Sequence, residues 1–143
     1  MTSLIILVPD QQVFETAFFA HSAGDSNNSC LKLFREAWLY YVDKRHRLIA
    51  VSQELNTHLC ENHYKSKKKK RQALFSCLEI HTNSLNCGLD KSQSTLASIL
   101  SIEEDNEVYY VTDNDQMREA VTKLGLFEPA SSKQAIELIK ELG

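Results

Sequence analysis

The chain has 143 residues, 43% of them hydrophobic and 24% charged, with only 4 Gly and 2 Pro, a make-up that excludes the disordered, collagen-like and low-complexity classes. Its length is that of one ordinary domain, read here as 1–143, able to bury a core without staples. The net charge of −3 excludes a uniformly basic surface but conceals a local one, because Lys65, Lys67, Lys68, Lys69, Lys70 and Arg71 are six of the sixteen basic residues.

Leu4 to Val8 is a continuous apolar run of strand length, the pattern of a strand covered on both faces in a parallel sheet. Pro9 and Asp10 follow it at once, so it is too short for a membrane span of roughly 18 residues, and without a basic lead it does not read as a signal peptide. From Val13 to Ala20 the apolar spacing fits a short amphipathic helix, ended by the turn-rich stretch His21 to Ser29. A second helix, Ser29 to Asp43, sets Leu31, Phe34, Trp38, Tyr41 and Val42 on one broad face. Ser29 is its expected cap and Trp38 an expected core residue.

Leu48 to Val51 reads as strand two, with Ser52 placed to cap a third helix carrying Leu55 and Leu59. The basic run flows into Ala73, Leu74, Leu78 and Ile80 at helical spacing, which predicts a helix with its charges in water. After a loop at Asn83 to Gly88, Leu96, Ile99, Leu100 and Ile102 mark a further, Ser-rich helix. Val108 to Val111 is strand three, followed by a helix over Asn114 to Leu124 closed by Gly125. Leu126 and Phe127 suggest a short fourth strand, with Pro129 blocking its extension. Ser131 and Gln134 then open the final helix as a capping box. Alternating strands and helices predict an α/β fold with parallel pairing and right-handed crossovers.

In an open parallel sheet, sites form outside the carboxyl ends of the strands, where the strand order reverses. That rule selects Pro9 and Asp10, Ser52 with the first turns after it, and Thr112 to Asp115. Folding can gather Asp10, Asp113 and Asp115 into one pocket, and such a pocket favours a hard cation such as Mg2+ or Mn2+. The plainer reading is that Asp10 starts a turn and Asp113 caps a helix. Cys30, Cys60, Cys77 and Cys87 are scattered, with no CxxC pair, and read as reduced, mostly buried thiols of a cytoplasmic protein.

Five stretches in this order resemble the PIN domain family over nearly the whole chain. They are Leu4 to Phe14 with Asp10, the helix Leu31 to Asp43, Leu48 to Leu59 with Ser52 and the Glu54–Leu55 pair, Val108 to Asp115 with its Val111-Thr112-Asp113-Asn114-Asp115 core, and Gly125 to Leu138. The resemblance implies a three-layer α/β/α fold with a mostly parallel central sheet. It also implies a divalent-metal-dependent ribonuclease, in many members a toxin neutralised by an antitoxin partner. Asp10 matches the first acidic position. The second acid falls at His58, with Glu54 and Glu61 a turn away on either side. The third falls among Ser92, Ser94 and Thr95, with Asp90 slightly early, and the last at Asn114, flanked by Asp113 and Asp115.

A complete site of this kind uses metal to activate water and to stabilise the leaving oxygen. With Asp10 plus Asp113 or Asp115, the expectation is one weakly held ion. His58 is either a ligand or general acid/base, or simply a hydrogen-bonded helical histidine. Lys67, Lys68, Lys69, Lys70 and Arg71 would raise affinity for RNA through counterion release, or else form a solvated face. Two functions follow: an RNA-binding domain with ribonuclease activity, or a catalytically degenerate domain that regulates by binding RNA or protein. An antitoxin-like protein or a second copy of the chain is the further partner each allows, and neither involves a membrane.

Overall fold

The structure of the protein, a computed structural model, describes residues 4–61, 74–82 and 87–142. Five strands, β1 (Leu4–Pro9), β2 (Ile49–Ser52), β3 (Leu78–His81), β4 (Asn106–Val111) and β5 (Glu128–Ala130), form one sheet in the order β3-β2-β1-β4-β5. Every pairing is parallel. β1 and β4 run in register from Leu4 opposite Asn106 to Pro9 opposite Val111, so their carboxyl ends finish level. The chain winds outward in opposite directions from this pair, which makes the gap between β1 and β4 the switch point of the sheet.

Around the sheet lie α1 (Gln11–Ala23), α2 (Ser29–Lys44), α3 (Gln53–Asn56, continued by a π turn over Thr57–Glu61), α4 (Leu89–Leu100), α5 (Asp115–Leu124) and α6 (Ser132–Leu142). They form two outer layers. Leu7, Ile49, Val51 and Val111 face α1, α2 and α6, while Val8, Ala50, Val108 and Tyr110 face α4 and α5. Adjacent residues of β1 thus enter opposite cores, and Leu7 and Val8 are both fully buried. An unbroken apolar run is what period-two geometry requires of a strand covered on both sides. The first core is closed by Phe75, whose ring lies 5.6–5.8 Å from those of Phe14, Phe18 and Phe34.

Two strand expectations need correction, and the cap of α2 is Asn28 rather than Ser29. Leu78 and Ile80 belong to β3 and not to a helix running on from the basic segment. Leu74 and Leu78 share a helical spacing, but Leu78, Glu79 and Ile80 alternate from buried toward exposed as a strand does, in register with β2. The last strand is Glu128–Ala130 and not Leu126 to Phe127, and it contains Pro129. β5 is an edge strand, where a proline without an N–H removes no ladder bond from the sheet interior. Trp38 is half-buried against the first core. The run Lys65 to Arg71 lies outside the described residues.

Candidate functional site at the carboxyl ends of the strands

Asp10 stands at the end of β1, its backbone N–H bonded to the Val111 carbonyl at 2.8 Å. Its side chain caps α1, with Oδ1 accepting from Val13 N at 2.7 Å. Asp10 is 9% exposed. Burial is the main reason that its carboxyl is pushed above the ordinary 3.8; a hydrogen bond from Thr112 and the α1 amides oppose the shift, and the negative charge of Asp113 adds to it. Asp10 and Asp113 therefore do share one neighbourhood, brought together from opposite ends of the sequence by the β1–β4 pairing.

Asp113 is engaged in structural bonds. Its Oδ1 accepts from Ser132 N at 2.8 Å, at the start of α6, and its Oδ2 accepts from Ser132 Oγ at 3.0 Å and from Cys30 Sγ at 3.4 Å. Burial, followed by the Asp113 charge, pushes the Cys30 thiol up to about 12, so Cys30 is an un-ionised donor and no nucleophile. Asn114 caps α5 through Met117 N at 3.1 Å, and Asn28 caps α2 through Leu31 N at 3.2 Å. A cleft of about 390 Å³ opens among Gln12, Thr16, Asn28, Ser29, Asp113 and Asn114.

The other expected residues are placed elsewhere. Asp115 begins α5, pairs with Arg118 and lines a separate cleft of about 610 Å³ with Lys123 and Gln134. His58, on the π turn, lies 3.7 Å from Glu15 of α1, which also accepts from Gln11 Nε2 at 2.8 Å. Neither Asp115 nor His58 lines the Asp113 cleft.

Beside β1 and β2 the strand ends are sealed. Ser52 caps α3 as the sequence suggests, its Oγ accepting from Leu55 N at 3.2 Å and donating to Ser92 Oγ at 2.9 Å. Gln93 accepts from Ser52 N at 2.7 Å and donates to the carbonyls of Pro9 at 2.7 Å and Ala50 at 3.3 Å. Ser92 and Gln93 are both buried. Ser92 is one of the positions where the family resemblance asks for a third acid; it is a neutral hydroxyl bonded to Ser52, and Gln93 beside it is tied to two strands. Gln93 was missed by the sequence reading, although it sits four residues before Ala97 and three before Leu96, a polar residue on the apolar stripe of α4.

For a divalent ion, the donor set comes down to Asp10 and Asp113. Among the described residues no group of three or more His, Cys, Asp or Glu side chains is gathered with metal-holding geometry. Two carboxylates suit a single Mg2+ or Mn2+ that keeps most of its waters. They do not suit the two-ion arrangement, and the Asp113 oxygens already accept three hydrogen bonds. No protein-family model, curated protein or solved structure matches the chain. Among the described residues, no helix is long and apolar enough to cross a membrane.

Proposed function

We propose that this chain is a PIN-like RNA-binding domain of the catalytically degenerate kind, acting in the cytoplasm as a regulatory module. The observation that carries this reading is Ser92, a buried neutral hydroxyl bonded to Ser52 Oγ at one of the positions where the family resemblance asks for an acid, with Gln93 beside it tying Pro9, Ala50 and Ser52 together. A neutral side chain where an anionic oxygen donor is expected leaves out charge that a hard cation needs. The hydrogen bonds of Asp113 to Ser132 and Cys30 point the same way. RNA is supported by the six cations from Lys65 to Arg71, dense enough to attract a phosphate backbone by counterion release.

The test is whether a single-stranded RNA binds the purified protein equally well in EDTA and in Mn2+. Metal-independent association is expected. Association that requires Mn2+ would overturn the degenerate reading.

A second reading is a toxin-type endoribonuclease with one Mg2+ or Mn2+ held by Asp10 and Asp113. The observation favouring it is that Asp113 lies close enough to Asp10 for its charge to raise the Asp10 pKa, and that both stand at the switch point of the sheet. An antitoxin-like protein or a second copy of the chain is the partner this reading adds.

A further inference from the structure

Among the described residues, three helices end on a residue in the left-handed region. α1 ends on Gly24 and α5 on Gly125, both at φ 72. α2 ends instead on Arg45 at φ 57, its backbone N–H bonded to the Tyr41 carbonyl at 2.8 Å. That conformation suits glycine and crowds the Cβ of any other residue, so glycine is the usual choice at this place. Arg45 is exposed, and among the described residues no carboxylate pairs with it. Neither packing nor an ion pair therefore accounts for a side chain where having none costs least. A cation near the carbonyl end of a helix stabilises it, but Lys44 in the last turn of α2 already supplies one.

Arg45 is part of a cluster. Lys44, Arg45 and Arg47 put three formal charges into four positions where α2 turns into β2, at the amino ends of the strands and so at the opposite end of the sheet from Asp10 and Asp113. Lys44 is offset by Asp43 at 3.6 Å; Arg47, like Arg45, has no carboxylate partner among the described residues. The exposed Arg47 guanidinium lies 4.7 Å from the centre of the Tyr41 ring, and its Nη2 donates to the Tyr41 hydroxyl at 3.0 Å. A guanidinium carries five N–H donors in a rigid fork. One is used here, and the ring holds the others in a fixed direction. Tyr40 and His46, both half-buried, stand edge to face with ring centres 6.5 Å apart.

Unpaired guanidinium groups interleaved with aromatic rings match single-stranded RNA, whose phosphates alternate with flat bases. An anionic lipid surface is a poorer match, because clusters that hold proteins to lipid have about four to eight Lys or Arg and this one has three. We propose that the turn from α2 into β2 is a contact surface for single-stranded RNA, with Arg45 and Arg47 on its phosphates and Tyr40 and Tyr41 beside them. The proposal rests on the RNA-binding reading and adds to it a contact outside the run Lys65 to Arg71.

The experiment follows binding of a labelled single-stranded RNA by fluorescence anisotropy in EDTA across a salt series, with wild type, Arg45→Gly and Arg47→Gln, beside urea unfolding of each protein. A lost phosphate contact lowers the slope of log affinity against log salt by about 0.7, and the affinity near 0.1 M salt by about fivefold; both variants are expected to show this. Arg45→Gly is expected to do so with an unfolding midpoint at or above that of wild type, because glycine adopts a left-handed φ without a Cβ clash. Unchanged affinity and slope in both variants, with wild type binding RNA, would overturn the surface and leave the RNA reading standing. A loss of affinity that comes with a lowered midpoint in both variants would make the arginines supports of the helix end and overturn it as well. Vesicles of phosphatidylcholine and phosphatidylserine are run in parallel, since Leu39 and Val42 are exposed on the preceding turn of α2. Vesicle binding lost in both variants while RNA binding is kept would give the surface to lipid and overturn the proposal. No RNA binding by wild type would overturn the RNA reading and the surface together.

Discussion

Gln93 donates to the backbone carbonyl of Pro9 at 2.7 Å across 84 positions of sequence, fastening α4 to the end of the central strand. The same amide accepts from Ser52 N, so both of its ends are used in the interior. Changing Gln93 to Glu keeps the acceptor but sets a second oxygen against the Pro9 and Ala50 carbonyls. Leaving buried polar groups unsatisfied costs about 1–3 kcal/mol, and Gln93→Glu is expected to lose that much stability in urea unfolding with an unchanged m-value. Full recovery on adding Mn2+ is not expected; its appearance would mean that a single substitution creates a metal position.

Asp10 gives a pH dependence of known sign. Its folded-state pKa is raised above 3.8, chiefly by burial, so the native state holds its proton more tightly than the unfolded chain does. The stability this supplies is complete below pH 3.8 and is lost as pH rises through the folded value. Asp10→Asn keeps an acceptor for Val13 N and cannot ionise. Subtracting its unfolding free energy from that of wild type across pH 3–7 should give a difference that declines as pH rises and then levels. A difference that climbs with pH would show that Asp10 gains net stabilisation from a cation or donor, as an active metal site requires.

Much of this architecture was legible in the sequence, because buried parallel strands leave a signal that is hard to imitate. Leu4 to Val8 and Val108 to Val111 fall in β1 and β4, Leu48 to Val51 matches β2 from Ile49 on, and Ser131 with Gln134 forms the expected capping box at 2.8 and 3.2 Å. β3 was hidden because Leu74, Leu78 and Ile80 satisfy a helical and an alternating spacing at once, and β2 decides between them by pairing. At the site, Asp10 and Asp113 were legible as neighbours since both end strands that pair in register. The hydrogen bonds that occupy them were not. Nothing local to Asp113 announces Ser132, nineteen positions on, or Cys30 on another helix. The Asn28 cap of α2 also displaced the expected Ser29 by one residue.

Asp113 is expected to act as a structural acceptor. Asp113→Ala removes the partner of Ser132 N and Oγ, a loss comparable to that of a helix cap, about 1–2 kcal/mol. It also removes the second cause holding up the Cys30 thiol. Labelling of Cys30 by a disulfide reagent, followed at low denaturant and pH 8, should be faster in Asp113→Ala than in wild type. Unchanged stability and an unchanged labelling rate together would contradict the role.

Replacing Lys67, Lys68, Lys69 and Lys70 with Ala should weaken RNA binding across sequences, because phosphate contacts carry no base information. If all four lysines neutralise phosphates, the slope of log affinity against log salt falls by up to about 3 for a single strand. The unfolding midpoint should stay where it is. An unaltered slope would assign these cations to a solvated surface and leave the phosphate contacts to another patch.

The most direct measurement is cleavage of a labelled single-stranded RNA by the purified protein in Mn2+, with wild type, Asp10→Asn and His58→Glu run side by side. The degenerate reading expects full-length RNA to be recovered from wild type and from Asp10→Asn, under conditions where the protein binds the RNA. His58→Glu supplies the acid of the family pattern at one position only, and with Ser92, Ser94 and Thr95 still neutral no cleavage is expected from it either. Manganese-dependent products from wild type that fall by orders of magnitude in Asp10→Asn would contradict the central claim and establish the nuclease.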